Sequence, residues 1–133
     1  MKLIYNFTCI IACMAIMACH KDKNMGDKGT VKQLTAADAG SKASVTIGQT
    51  ISLTLGNPGD GGYQFNNPKY NTSVLTLVSH QEHVGVHPGL IGDFGKDIWT
   101  FTAKGSGTTT LEVTAHRAST ETISMFTNQI VVK

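Results

Sequence analysis

Beyond residue 19 the chain has no cysteine: Cys9, Cys13 and Cys19 account for all three in its 133 residues. A domain formed from the remainder has no disulfide and must hold together by packing alone. Charge is sparse as well. Only 15% of residues are charged, the formal net charge is +2 and the lysines are scattered, so there is no basic face for nucleic acid. Runs of Ala, Glu, Lys and Leu of the kind that build long helices are missing. Also absent are a Gly-x-Ser-x-Gly nucleophile motif, a phosphate-cradling loop with its lysine, and any thiol after Cys19. An enzyme is therefore the least supported class, no cofactor is expected, and nothing calls for more than a monomer.

What remains is a chain that is 41% hydrophobic and rich in threonine, valine, glycine and isoleucine, a composition that favours strands joined by tight turns. Its N-terminus is a separate object. Lys2 precedes a mostly apolar stretch, Leu3 to Ala18, which is short for a membrane span and suited to a secretory signal. The stretch ends in Ile16-Met17-Ala18-Cys19, which resembles the lipobox at which exported bacterial proteins are cleaved and lipidated. The expectation is a signal peptide over 1–18, a lipidated Cys19 with a polar tether over 19–42 that has room for a first short strand at its end, and one domain over 43–133. Acyl chains on Cys19 would hold an exported protein to the membrane of the cell envelope.

From Ala43 onward apolar residues recur every second position. Val45 and Ile47 alternate, then Ile51, Leu53 and Leu55, as in half-buried strands. Tyr63 and Phe65, Ser73 to Ser79, Lys96 to Ala103, Thr108 to His116 and Thr122 to Val132 follow, with His83 to Val86 as a further candidate. In the Lys96 segment Trp99, Phe101 and Ala103 share a face; Trp99 and Tyr63 are expected in the core. Gly56 to Gly62, Pro88-Gly89 and Gly105 to Gly107 are turn formers. Strands of this length at these intervals predict an all-β, immunoglobulin-like β-sandwich. His80, His83 and His87, with Glu82, look at first like a metal cluster. On a strand, however, residue 80 points away from 83 and 87, so no metal site is expected.

Three interstrand sequences carry a functional reading. Asn57-Pro58-Gly59-Asp60-Gly61-Gly62-Tyr63 resembles, with one extra residue, the Asn-Pro-x-x-Gly-aromatic loop of chagasin-type inhibitors of cysteine peptidases. Gly92-Asp93-Phe94-Gly95 stands where that family has a glycine-rich loop, and Arg117-Ala118-Ser119 where it typically reads Arg-Pro-Trp. The resemblance runs from about Val45 to Lys133 and implies the same sandwich fold. It also implies a partner, a papain-like cysteine protease, whose cleft the first loop would cross while the other two loops grip the rims.

A papain-like protease holds a thiolate–imidazolium pair in an open cleft. Catalysis requires the reacting atoms about 3–3.5 Å apart and aligned, so a rigid loop that fills the cleft without that alignment blocks the enzyme and stays uncut. Asp60 stands where the family usually has a small or hydroxyl residue, and its carboxylate could face the imidazolium. Ala118 and Ser119 lack the proline and tryptophan, and a buried tryptophan anchor is often worth about 2 kcal/mol or more. The competing reading is a non-inhibitory binding or adhesion module. It differs in one checkable respect, because such a module has no need for the three loops to converge.

Overall fold

The computed structural model describes residues 29–133 apart from 88, 89 and 91. The expected signal segment, Cys19 and the first part of the tether lie outside the described residues. Eight strands form two four-stranded sheets. β1 (Lys32–Thr35), β3 (Thr50–Gly56), β6 (Lys96–Ala103) and β5 (Leu75–His83) build one sheet in that order. β2 (Lys42–Val45), β8 (Glu121–Val132), β7 (Gly107–Arg117) and β4 (Gln64–Phe65) build the other. Pairing is antiparallel except where β1 lies parallel to β3 and β2 parallel to β8. This is the immunoglobulin-like sandwich that the two-residue period implied.

The period works because each strand buries one face. Ile51, Leu53 and Leu55 from β3 meet Trp99, Phe101 and Ala103 from β6 within one sheet, and Leu111, Val113, Phe126 and Ile130 close the core from the other. Each fully buried side chain of this size contributes about 1.5–3 kcal/mol. Phe65 and Tyr70 pack edge-on against Trp99 and Phe101, with centroids 4.8 and 5.3 Å apart. The outward positions are filled by Ser52, Thr54, Thr100 and Thr102, β-formers that tolerate water.

Three features differ from the sequence expectation. Ordered structure begins before residue 43: β1 lies inside the stretch read as tether and buries Leu34 to 1% exposure. A four-residue strand with one apolar side chain has no visible period. Its end is fixed by Asp38, whose carboxylate accepts from the Thr35 backbone N–H at 2.8 Å, and a single 3-10 turn (Ala36–Asp38) carries the chain across to the second sheet.

Second, Ser73–Ser79 and His83–Val86 are not separate strands. β5 runs without a break to His83, while Val84 and Val86 are exposed in the loop beyond it. The register skips Val78 between Leu77, opposite Phe101, and Ser79, opposite Thr100. This is a β-bulge, and it reverses which sequence parity faces inward. Leu75 and Leu77 face the core before it; His80 and Glu82, opposite Trp99 and Asp97, face the same side after it. Third, Tyr63 is half-buried at the end of the sandwich and lies outside the core cluster.

Candidate functional site

The three candidate loops emerge where β3 ends, β6 begins and β7 turns into β8, which is one end of the sandwich. Asn57 to Gly62 is an Asn-capped 3-10 turn (Pro58–Gly61). The Asn57 side-chain oxygen accepts from the Gly59 N–H at 2.9 Å, Pro58 supplies the fixed φ of the first turn position, and Gly62 closes the turn with φ 73. Asp60 and Gly61 are exposed at its tip, and among the described residues Asp60 has no bonding partner, so its carboxylate is presented to solvent.

Gly92 to Gly95 reaches the first loop directly. The Asn57 N–H donates to the Gly95 carbonyl at 3.0 Å. The Phe94 ring rests on Gly59 so closely that a Cβ there would meet it at 2.7 Å. Asp93 is not turned outward. Its carboxylate accepts from the His87 N–H at 2.9 Å and so closes its own loop.

Arg117 to Ser119 joins from the other side. Arg117 clamps Glu121 through Nε at 3.1 Å and Nη2 at 2.6 Å, and donates from Nη1 to the Gly61 carbonyl at 3.4 Å. Its guanidinium also lies 5.0 Å from the centroid of the Tyr63 ring, whose hydroxyl donates to Glu121. Arg117 therefore braces the first loop, and Ala118 and Ser119 are left exposed at the hairpin tip.

This brace has a defined pH range. The hydrogen bonds from Tyr63 and then Arg117 hold the Glu121 carboxyl below its ordinary pKa. The bond to Glu121 is the main reason the Tyr63 phenol lies above its own. The carboxylate's contribution is present above the ordinary carboxylate value and is lost as pH falls through the lowered one. The phenol's contribution is present below the ordinary tyrosine value and is lost as pH rises through the raised one. In an NMR titration, Tyr63→Phe is expected to move the Glu121 midpoint up toward the ordinary carboxylate range, with Arg117 still holding it below. An unchanged midpoint would remove Tyr63 from the brace.

Ala118 has φ 50, the one described non-glycine residue with positive φ. Proline cannot adopt that angle, so the family's proline does not fit this hairpin as it stands. Ala118→Pro is expected to lower thermal stability and to weaken, not restore, the third loop. Ala118→Gly should raise stability by up to about 1 kcal/mol, because the left-handed conformation penalises a Cβ. Thermal denaturation of both variants tests this, and a proline variant as stable as the parent counts against the turn described.

Beneath the first loop lies a polar cluster that the motifs did not reveal. Asn57 Nδ2 donates to Asp97 Oδ1 at 2.8 Å and lies 3.4 Å from Glu82 Oε1. His80 Nε2 meets Asp97 Oδ2 at 2.6 Å, and its ring stacks on Trp99 with centroids 4.5 Å apart and planes 8° from parallel. Asp97 is 3% exposed. The sequence held one clue to it: Asp97 has the same parity as Trp99, Phe101 and Ala103, a carboxylate at a core-facing position. Between this cluster, Phe65 and Phe94 opens a cleft of about 470 Å³. Among the described residues no three His, Cys, Asp or Glu side chains are placed to hold a metal ion. His80 is occupied by Asp97, apart from His83 and His87.

An immunoglobulin-like sandwich with three loops tied together at one end presents a single braced binding edge. Comparison with known proteins gives the family. The family described as Chagasin family peptidase inhibitor I42 matches residues 44–131, and the chain belongs to it. It is a protease inhibitor, not an enzyme. Among solved structures it is similar to the cysteine protease inhibitor EhICP2 from Entamoeba histolytica. That match has 20% identity and TM-score 0.66 and covers 77% of this chain and 96% of the other. It is also similar to amebosin, at 17% identity and TM-score 0.61, over 79% of this chain and all of the other (100%). At these identities the likeness concerns the fold. No curated protein matches the sequence significantly.

Proposed function

We propose that this chain is a reversible inhibitor of papain-like cysteine proteases that acts through Asn57–Tyr63, Gly92–Gly95 and Arg117–Ser119 as one wedge. The observation that carries the reading is the convergence of the three loops. The first is bonded to the second through Asn57 and Gly95, and to the third through Gly61 and Arg117. A general adhesion module has no need of this mutual bracing. An inhibitor that must stay rigid in a cleft does, because a loop ordered beforehand loses less entropy on binding and is harder to draw into cleavage geometry. Asp60, exposed at the tip of the first loop, would meet the imidazolium.

The protein would act as a monomer, exported and held to the envelope membrane by acyl chains on Cys19. β1 supports this arrangement. It runs parallel to β3, whose far end leads into the first loop, so the chain enters the sandwich at the end opposite the loops. A tether attached there leaves the wedge free to face a protease.

Titration of papain and of a cathepsin-L-like protease with the protein tests the reading. Saturable inhibition that reverses on dilution, with the inhibitor uncut, is the expected result. Absence of inhibition at micromolar concentration against both would hand the case to the binding module. For the anchor, radiolabelled palmitate should enter the parent expressed in bacteria and not Cys19→Ser.

A further inference from the structure

The polar cluster under the first loop does more than fill space. Both oxygens of the buried Asp97 carboxylate are used, Oδ1 by Asn57 and Oδ2 by His80. Asn57 is engaged at both ends too, giving its amide to Asp97 and taking the Gly59 N–H on its oxygen. A continuous chain of contacts thus leads from the Trp99 ring through His80, Asp97 and Asn57 to the backbone at the start of the wedge. The β-bulge at Val78 makes it possible, since it turns His80 and Glu82 onto the same face as Trp99 and Asp97.

As a source of stability, this arrangement is poor. A buried carboxylate held by polar partners gives little that an apolar pair of similar volume would not give. What the carboxylate does fix is the position of Asn57, and with it the first turn of the loop. We propose that His80 and Asp97 are positioning residues for inhibition, locking Asn57 so that the first loop keeps one conformation and resists cleavage. The consequence for cleavage rests on the inhibitory reading above; the locking itself does not.

Two variants separate positioning from general stability. His80→Phe keeps an aromatic ring to stack on Trp99 and removes the donor to Asp97. The double variant His80→Leu with Asp97→Leu replaces the polar pair by an apolar one. Amide hydrogen exchange is measured on the full chain at Gly59 and Gly62, whose N–H groups bond within the loop, and at Phe101 in the core. Protection at the two glycines is expected to fall about tenfold or more while Phe101 stays protected. Papain should then cut the variants between Asn57 and Tyr63, with the parent left whole, which mass spectrometry of the fragments reads directly.

Unchanged glycine protection in folded His80→Phe overturns the proposal, and so does loosening of Phe101 in step with the glycines in both variants. If the parent fails to inhibit papain, the inhibitory reading falls, and the exchange measurement still decides whether His80 and Asp97 lock the loop.

Discussion

Gly95→Ala is expected to weaken protease inhibition about a hundredfold, the equivalent of roughly 2.7 kcal/mol. A Cβ at Gly95 would lie 1.9 Å from the His83 carbonyl oxygen, 2.7 Å from the Gly85 nitrogen and 2.8 Å from the Val84 carbonyl carbon. All three are backbone atoms, so no rotamer change relieves the overlap, and the strands at the base of the second loop must separate. The residue also has φ 81, which costs an alanine about 1–2 kcal/mol before any overlap. The damage spreads to the first loop, because the Gly95 carbonyl is the acceptor for the Asn57 N–H. Gly85→Ala approaches the same crossing from the other side, with a Cβ 2.1 Å from the Asp93 carbonyl oxygen, and should behave alike. Gly92→Ala is the control. Its φ is 95 but nothing lies within 4 Å of the added carbon, so it incurs backbone strain alone. Inhibition constants and thermal midpoints for the three variants test the assignment. Gly92→Ala as damaging as Gly95→Ala would show that φ, not the close crossing, governs the loop.

How much of this was legible in the sequence follows from the range of each interaction. The sandwich was readable because β3, β6, β7 and β8 repeat the same local rule, one apolar side chain at every second position, and burial depends on that rule. The loops were readable as punctuation, since glycine, proline and asparagine act through their own backbone preferences. β1 was legible only as room for a short strand at the end of the tether, because its pairing with β3 is set by the partner and not by its own four residues. The merged β5 was hidden because the bulge at Val78 breaks the parity on which such a reading depends. The His80–Asp97–Asn57 cluster joins residues 17 and 40 positions apart. The register of β5 against β6 brings His80 to Asp97, and that of β3 against β6 brings Asn57. Tyr63 was assigned to the core on its chemistry, yet its hydroxyl reaches Glu121, 58 residues away. The cluster and the Tyr63 contact are polar bonds between distant segments, for which the alternation of apolar residues carries no trace.

That cluster yields the second large effect, at Asn57. Asn57→Ala removes the donor to Asp97 and the acceptor for the Gly59 N–H, leaving a buried carboxylate with His80 as its remaining close partner. The expected loss is about 1–3 kcal/mol in stability, together with the order of the first loop. Asn57→Asp changes almost no volume and keeps an acceptor for Gly59, so by shape it is the milder substitution. Electrostatics reverse that order. The new carboxylate oxygen replaces an amide that sits 2.8 Å from Asp97 Oδ1, with Glu82 Oε1 at 3.4 Å on another side. Two carboxylates so close cannot both stay ionised without a large penalty, so the folded variant must take up a proton that the unfolded chain releases at neutral pH. Stability then rises as pH falls, because the folded state binds the extra proton. Near neutrality Asn57→Asp should be the less stable of the two by about 1 kcal/mol or more, and it should recover toward the alanine variant near pH 5. Urea unfolding of both variants at the two pH values reads the difference. A gap that narrows in this way places Asn57 against the Asp97 carboxylate. Equal stability at both pH values would mean that solvent, not this contact, surrounds the Asn57 side chain.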